Sequence, residues 1–134
     1  MSKIRHIAIK ADDPGKLAAF YEETFDMKVL KRSERGAIYM TDGYMNLALL
    51  PVRENQKPGI EHFGFHVDSV GEVETRLEAA GRPRPKVRPN NPPYAEKRTV
   101  DPEGNQIDLS EHGFQEEEYQ EDRSARDGKV KEPA

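Results

Sequence analysis

Residues 60–69 read IEHFGFHVDS, and residues 4–13 read IRHIAIKADD. Laid over one another without a gap, His6 falls on His62, Ile7 on Phe63, Ile9 on Phe65 and Asp12 on Asp68. The match continues downstream, where Gly15 meets Gly71, Leu17 meets Val73 and Tyr21 meets Leu77. An internal repeat at a fixed offset is one supersecondary unit used twice, so two alike modules should pack about a pseudo-two-fold axis. Each module brings a histidine to the same place. Two imidazoles related by that axis suit a metal ion on or near it.

Working outward, Lys3–Ala11 alternates as a strand, with Ile7 and Ile9 on one face and His6, Ala8 and Lys10 on the other. Asp12-Asp13-Pro14 then starts a helix, with an acidic N-cap and proline at the first helical position. Leu17, Phe20, Tyr21 and Thr24 form its expected inward stripe, and it ends near Phe25. Strands follow over 27–31, 36–41 and 44–51, the last two joined by the Asp42-Gly43 turn. Residues 55–59 (NQKPG) form a turn-rich boundary.

The order then recurs. Residues 61–67 are a strand, Asp68-Ser69 caps a helix carrying Val70, Val73 and Leu77, and Gly81 is placed to end it in the left-handed conformation. Five prolines make 82–93 extended or loop-like and a poor central strand. Residues 94–100 and 105–112 form a hairpin across Asp101-Pro102-Glu103-Gly104, a type I turn sequence.

The 134 residues suffice for one domain and its core, not comfortably for two. Hydrophobic residues make up 34% and mean hydropathy is −0.93. Much of that polarity lies in 115–134, QEEEYQEDRSARDGKVKEPA, which has almost nothing to bury and reads as a disordered tail. The folded domain is therefore 1–114, with module one over 1–54 and module two over 60–112. A net charge of −4 and a pI near 5.6 leave no basic footprint for nucleic acid. No apolar run approaches the ~20 residues of a membrane span, and MSKIRHIAIK lacks the apolar core of a secretory signal. With no cysteine, a metal would be held by histidine and carboxylate. A soluble cytoplasmic protein is expected, with neither nucleic acid nor membrane as partner.

The two hairpins align as well. Setting Gly43 on Gly104 with one inserted residue puts Leu47 on Ile107, Ala48 on Asp108 and Leu49 on Leu109. Ile107 and Leu109 then look to the helix, so Asp108 and Ser110 face the hollow of the sheet. His62, Gly64 and His66 share that side by parity. His6, His62 and Asp108 thus converge from three strands. Two imidazoles and one carboxylate leave coordination positions open, as in a catalytic rather than a closed structural centre. A solitary strand histidine is commonly structural and a strand aspartate near a turn commonly solvated. The repeat-equivalent histidines and the shared face favour ligands. Glu111 is the rival third ligand, pointed away by parity, and His112 reads as a strand cap.

The βαβββ repeat, HIAIKADDPGKLAAFYEETF at 6–25, EHFGFHVDS at 61–69 and DPEGNQIDL at 101–109 resemble the vicinal-oxygen-chelate superfamily. That group holds glyoxalases, extradiol dioxygenases, methylmalonyl-CoA epimerases, fosfomycin-resistance transferases and bleomycin-binding proteins. The resemblance implies an α+β fold, two βαβββ modules forming a cupped, barrel-like mixed sheet with a metal inside. In metal-binding members the ligands match His6, His62 and Asp108, although the last is usually glutamate. No subfamily pattern is complete. Glyoxalases carry a further carboxylate where this chain has Ala48, and extradiol dioxygenases keep an acid–base histidine that is missing between His6 and His62. The hydroxyl residues of the fosfomycin type are not evident in 90–98, and bleomycin-binding members lack the metal histidines.

The implied chemistry is that of one divalent ion, Fe, Mn, Ni, Co or Zn. It would bind two adjacent substrate oxygens and act as a Lewis acid on a developing enolate or oxyanion. His66 is the candidate proton carrier, or else a surface histidine. Tyr94, Glu96 and Arg98 share a face of the adjoining strand as candidate substrate contacts. Arg98 suits a carboxylate or phosphate, with a solvated charge face as the alternative. The favoured function is a metal-dependent lyase, isomerase or dioxygenase acting on a small oxygenated metabolite. The alternative is a metal-free or non-catalytic binding protein that sequesters such a ligand without turnover. A homodimer is expected, because pairing covers exposed sheet edges. Residues 55–59 are short enough to be a turn or a bridge, so His6 would face His62 and Asp108 either within one chain or across two.

Overall fold

Local signals set the elements, and one strand pairing joins them. In the computed structural model, which describes residues 1–87 and 97–114, β1 (Lys3–Ala11) leads through α1 (Pro14–Phe25) to β2 (Lys28–Arg32), β3 (Ile38–Thr41) and β4 (Asn46–Pro51). The second set is β5 (Gly59–His66), α2 (Val70–Ala79), β6 (Lys86–Val87), β7 (Lys97–Val100) and β8 (Gln106–Ser110). The tail at 115–134, and Tyr94 and Glu96, lie outside the described residues.

Both helices start as their sequences dictate. Asp13 Oδ1 accepts from the Lys16 amide at 3.0 Å, with Pro14 at the first turn. Ser69 Oγ accepts from the Glu72 amide at 3.1 Å, a cap worth about 1 kcal/mol. Gly81, at φ 74°, ends α2 by letting the Arg82 amide return to the Leu77 carbonyl at 2.8 Å. The Asp101 turn also holds: the Gly104 amide donates to the Asp101 carbonyl at 2.9 Å, and Asp101 Oδ1 accepts from the Glu103 and Asn105 amides.

The inward stripe of α1 differs from expectation. Ala18 is its fully buried residue, with Leu17 and Tyr21 beside it against Ile38, Met40, Leu47 and Leu49. Phe20 is about half exposed and Thr24 lies on the surface. With Ala18 turned to the sheet, Phe20 two residues on falls on the opposite side of the helix, edge-on to Tyr21. Under α2, Val67, Val70 and Leu109 form a second core with Phe65, Val73 and Ile107. Each module therefore has its own apolar layer between helix and sheet.

The eight strands form one mixed sheet in the order β2-β3-β4-β1-β5-β8-β7-β6, ending at β2 and β6 without closing. Read from its outer edge, module one is β2-β3-β4-β1 and module two is β6-β7-β8-β5, the same path twice. The proline-rich stretch supplies the edge strand β6, where a missing amide costs least. In each module the histidine strand runs parallel to the hairpin strand, and β1 meets β5 antiparallel within the same chain. The pairs His6–Gly64 and Ala8–His62 exchange under the repeat, so the pseudo-two-fold passes between them. No helix among the described residues is long and apolar enough to cross a membrane.

Candidate metal centre

β1, β5 and β8 lie side by side at the middle of the sheet, and their concave faces carry His6, His62 and Asp108. The registers Ala8–Ala48 and Gly64–Asp108 make Ala48 the module-one counterpart of Asp108, as the aligned hairpins indicated. All three side chains are at least nine-tenths buried. One ligand atom from each lies within 4.8 Å of the others. The two Nε2 atoms are 3.3 Å apart, and His62 Nε2 is 3.2 Å from Asp108 Oδ2. The shorter aspartate thus reaches the imidazoles.

Hydrogen bonds on the far sides fix the rings. His6 Nδ1 donates to Asn46 Oδ1 at 2.7 Å, across the β1–β4 ladder. His62 Nδ1 donates to the Glu61 carboxylate. Both Nε2 atoms therefore turn towards each other and towards a carboxylate, an arrangement that calls for a cation or proton between them. Two nitrogens bound at ~2.1 Å to one ion sit ~3.0–3.4 Å apart, which matches the observed separation. The donor set, nitrogen and carboxylate oxygen, suits a divalent transition ion. The residues present fit such an ion, while Asn46 Nδ2, on the Nδ1 side of His6, is a buried donor without a hydrogen-bond partner.

Glu61 reaches its neighbour through a backbone irregularity. In the β1–β5 ladder His62 pairs with Ala8 and Ile60 with Ile9, leaving Glu61 as the extra residue of a bulge. A bulge breaks the alternation and re-aims a side chain. Strict parity would send Glu61 to the helix side, so alternation alone misses it. Asn46 is the repeat counterpart of Gln106, since each pairs with a histidine of the cluster across a parallel ladder.

Arg98 belongs to the centre rather than to open solvent. Its Nε donates to Asp108 Oδ1 at 2.6 Å and its Nη1 to Gln106 Oε1 at 2.9 Å, while Nη2 lies 3.3 Å from His62 Nδ1. Burial by itself would raise the Asp108 carboxyl, but the hydrogen bonds and charges of His62 and Arg98 hold it well below the usual carboxylate range. Burial likewise pushes His62 down, and the Asp108 and Glu61 carboxylates outweigh it, raising the imidazole above its ordinary 6.5. The bond to His62 holds Glu61 below its ordinary value against burial.

His66 and Glu111 lie at the end of β5 and beyond β8. His66 Nε2 donates to the Glu111 carbonyl at 2.9 Å, and the Glu111 carboxylate accepts from the Val70 amide at 2.8 Å. Neither is among the groups that could ligate. His112 is exposed just after β8. Phe114 was not foreseen: its ring stacks on His6 with centroids 4.5 Å apart and planes at 13°.

Residues 3–109 match the Glyoxalase/Bleomycin resistance protein/Dioxygenase superfamily. The chain belongs to it. Superfamily structures share the architecture at low identity. The 2,3-dioxygenase LapB of Pseudomonas sp. KL28 superimposes with a TM-score of 0.64 at 18% identity, covering 81% of this chain and 40% of that one. The Streptomyces coelicolor methylmalonyl-CoA epimerase gives 0.57 at 20% identity, covering 84% and 97%. A superfamily member from Vibrio splendidus 12B01 gives 0.60 at 14%, covering 81% and 97%. This chain thus spans under half of the dioxygenase's length and nearly all of the epimerase's, and at these identities the likeness is one of fold. No curated protein matches the sequence.

Proposed function

We propose that the protein is a divalent-metal-dependent enzyme of the glyoxalase/dioxygenase type, acting on a small oxygenated metabolite. The observation that carries this reading is the buried His6–His62–Asp108 group, with both Nε2 atoms and a carboxylate oxygen turned to a common point. His6, His62 and Asp108 would hold the ion, leaving positions open for two substrate oxygens. A bound divalent ion supplies Lewis-acid stabilisation of negative charge on those oxygens. The chain's own residues set the stage for it: Asn46 and Glu61 fix the imidazole tautomers, and Arg98 holds Asp108 ionised and oriented.

Arg98 is thereby a positioning residue rather than a substrate contact. The bond from His66 Nε2 to the Glu111 carbonyl supports a role for His66 in holding the segment after β8. Ala48 offers no proton acceptor at the counterpart of Asp108. These last two features favour a second reading, in which the centre sequesters a ligand without turnover. Metal loading of the purified protein, followed by a panel of 2-oxo acids, vicinal diols and acyl thioesters, separates the readings. Metal-dependent consumption of one compound supports the enzyme, tight binding with none consumed supports sequestration, and failure to load any divalent ion overturns the enzyme.

We further propose a cytoplasmic homodimer in which each subunit holds a complete centre. The position of β2 at the end of the sheet among the described residues, together with exposed Phe20 and Phe25, supports association. Light scattering at micromolar concentration tests it, and a monomeric mass overturns it.

A further inference from the structure

Phe114 lies face to face with a ligand histidine and is only 3% exposed. Its ring also rests on the backbone of Gly64: a Cβ there would stand 3.0 Å from Phe114 Cζ and 3.2 Å from Cε2. The ring fills a flat slot whose walls are the His6 imidazole and a glycine. The segment that carries it is built to place it there. Ser110 Oγ accepts from the Gly113 amide at 3.0 Å and donates to the Gly113 carbonyl at 3.2 Å. His66 and the α2 N-terminus grip Glu111 through its carbonyl and its carboxylate. Gly113 takes φ 87°, and a Cβ there would meet the His66 ring at 3.0 Å, so the last step into the slot requires glycine.

With His6, His62 and Asp108 each nine-tenths or more buried, an incoming ligand must take the place of a covering group. We propose that Phe114 is the internal occupant of the ligand slot. It leaves by rotation about Gly113, and a flat, apolar group of the ligand takes its place against His6 and Gly64. The exchange is like for like, since the stack that Phe114 gives up is remade by the ligand. The segment from Ser110 to Phe114 is thus a strap that sets what may approach the centre, selecting planar unsaturated groups over branched aliphatic ones. The consequence for chemistry rests on the proposed metal-dependent reading, whereas the slot exists without a metal.

The test uses metal-free full-length protein. Diethylpyrocarbonate modifies accessible imidazoles, and peptide mass spectrometry reads the four histidines separately. In the wild type, His6 should react about tenfold or more slowly than exposed His112, as for a group reached only by local opening. Phe114→Ala should bring His6 close to His112, and Phe114→Leu should keep most of the protection. Engineered apolar cavities of one ring's size stay dry and bind benzene, so millimolar benzene should restore protection of His6 in Phe114→Ala and leave His112 unchanged. Wild-type His6 reacting as fast as His112 overturns the proposal. So does a Phe114→Ala variant whose His6 stays slow, or stays fast in benzene, the latter being the outcome of simple unfolding. A protein that binds no metal can still pass, so the two readings fail separately.

Discussion

Arg5 and Glu61 are the two bulged residues of the β1–β5 ladder, and each stands one position before a histidine of the buried cluster, at equivalent places in the repeat. One backbone device has taken on two chemistries. Glu61 turns onto His62 Nδ1, whereas Arg5 donates from Nε to the Tyr44 carbonyl at 2.7 Å and lays its guanidinium 4.0 Å over the Tyr44 ring. His6 obtains its acceptor from Asn46 instead. Glu61→Ala and Asn46→Ala should each weaken metal binding about 10–100-fold, measured by competition with a chelating dye. Arg5→Ala should leave it unchanged. Equal loss from all three would mean that bulge geometry, not the histidine partner, is what matters.

About one divalent ion per chain is expected, and His62→Ala or Asp108→Ala should abolish it, as elemental analysis would record. The three groups that come together within one chain are the ligands of the proposed centre, so mixing His6→Ala with Asp108→Ala chains should regain no site. Recovery of half the metal in that mixture would show ligands exchanged between subunits.

Arg98 separates positioning from substrate contact. Arg98→Ala leaves the buried Asp108 carboxylate short of its guanidinium, which should cost about 1–3 kcal/mol of stability, read by urea denaturation of the metal-free protein. Metal affinity should fall with it, and Arg98→Lys should recover charge but only part of the affinity. Unchanged affinity in Arg98→Ala would return the residue to the substrate.

The acidity of the centre gives the metal-free protein a bounded stable range. His62 titrates higher folded than its ordinary 6.5, so its contribution is complete below that pH and is lost as pH rises through the folded value. Asp108 titrates lower than its ordinary 3.8, so its contribution is present above that and disappears as acid reaches the folded value. Melting temperature should therefore peak between about pH 4 and 6.5 and decline on the alkaline side. His62→Gln should flatten that decline. Bound metal replaces the Nε2 proton, so affinity for it should instead rise with pH.

Gly64→Ala places a methyl against Phe114 and the His6 Cβ, at 3.0 and 3.2 Å. Overpacking of this kind costs about 1–3 kcal/mol. Most of that cost should vanish in a Phe114→Ala background, a coupling that thermal denaturation of the double-mutant cycle measures. Additive effects would mean that strand backbone, rather than the ring, resists the methyl.

Much of this architecture is written in periodicity. The repeat at His6 and His62, the capped helices and the Asp101 turn depend on local chemistry and appear where the sequence places them. The triad follows as well, because alternation fixes which strand residues share a face. What escaped depends on tertiary detail. A bulge defeats alternation at Glu61, and sheet contact at Ala18 overrides the hydrophobicity of Phe20. Phe114 enters the site through a turn whose course is set by Gly113 and the grip on Glu111, neither of which periodicity encodes.

The β1–β5 ladder also has a kinetic meaning. Each module can organise its helix and hairpins over short separations, but this ladder joins residues as distant as Lys3 and His66, and closing so long a loop is slow. A cation shared by His6 and His62 has no site until the ladder has formed. It contributes nothing to the climb towards folding and acts wholly against the return, as a clasp fastened after the halves meet. Its stabilisation should fall on the unfolding rate alone. Chelator given to the folded protein would shorten the native lifetime while leaving refolding as fast as before.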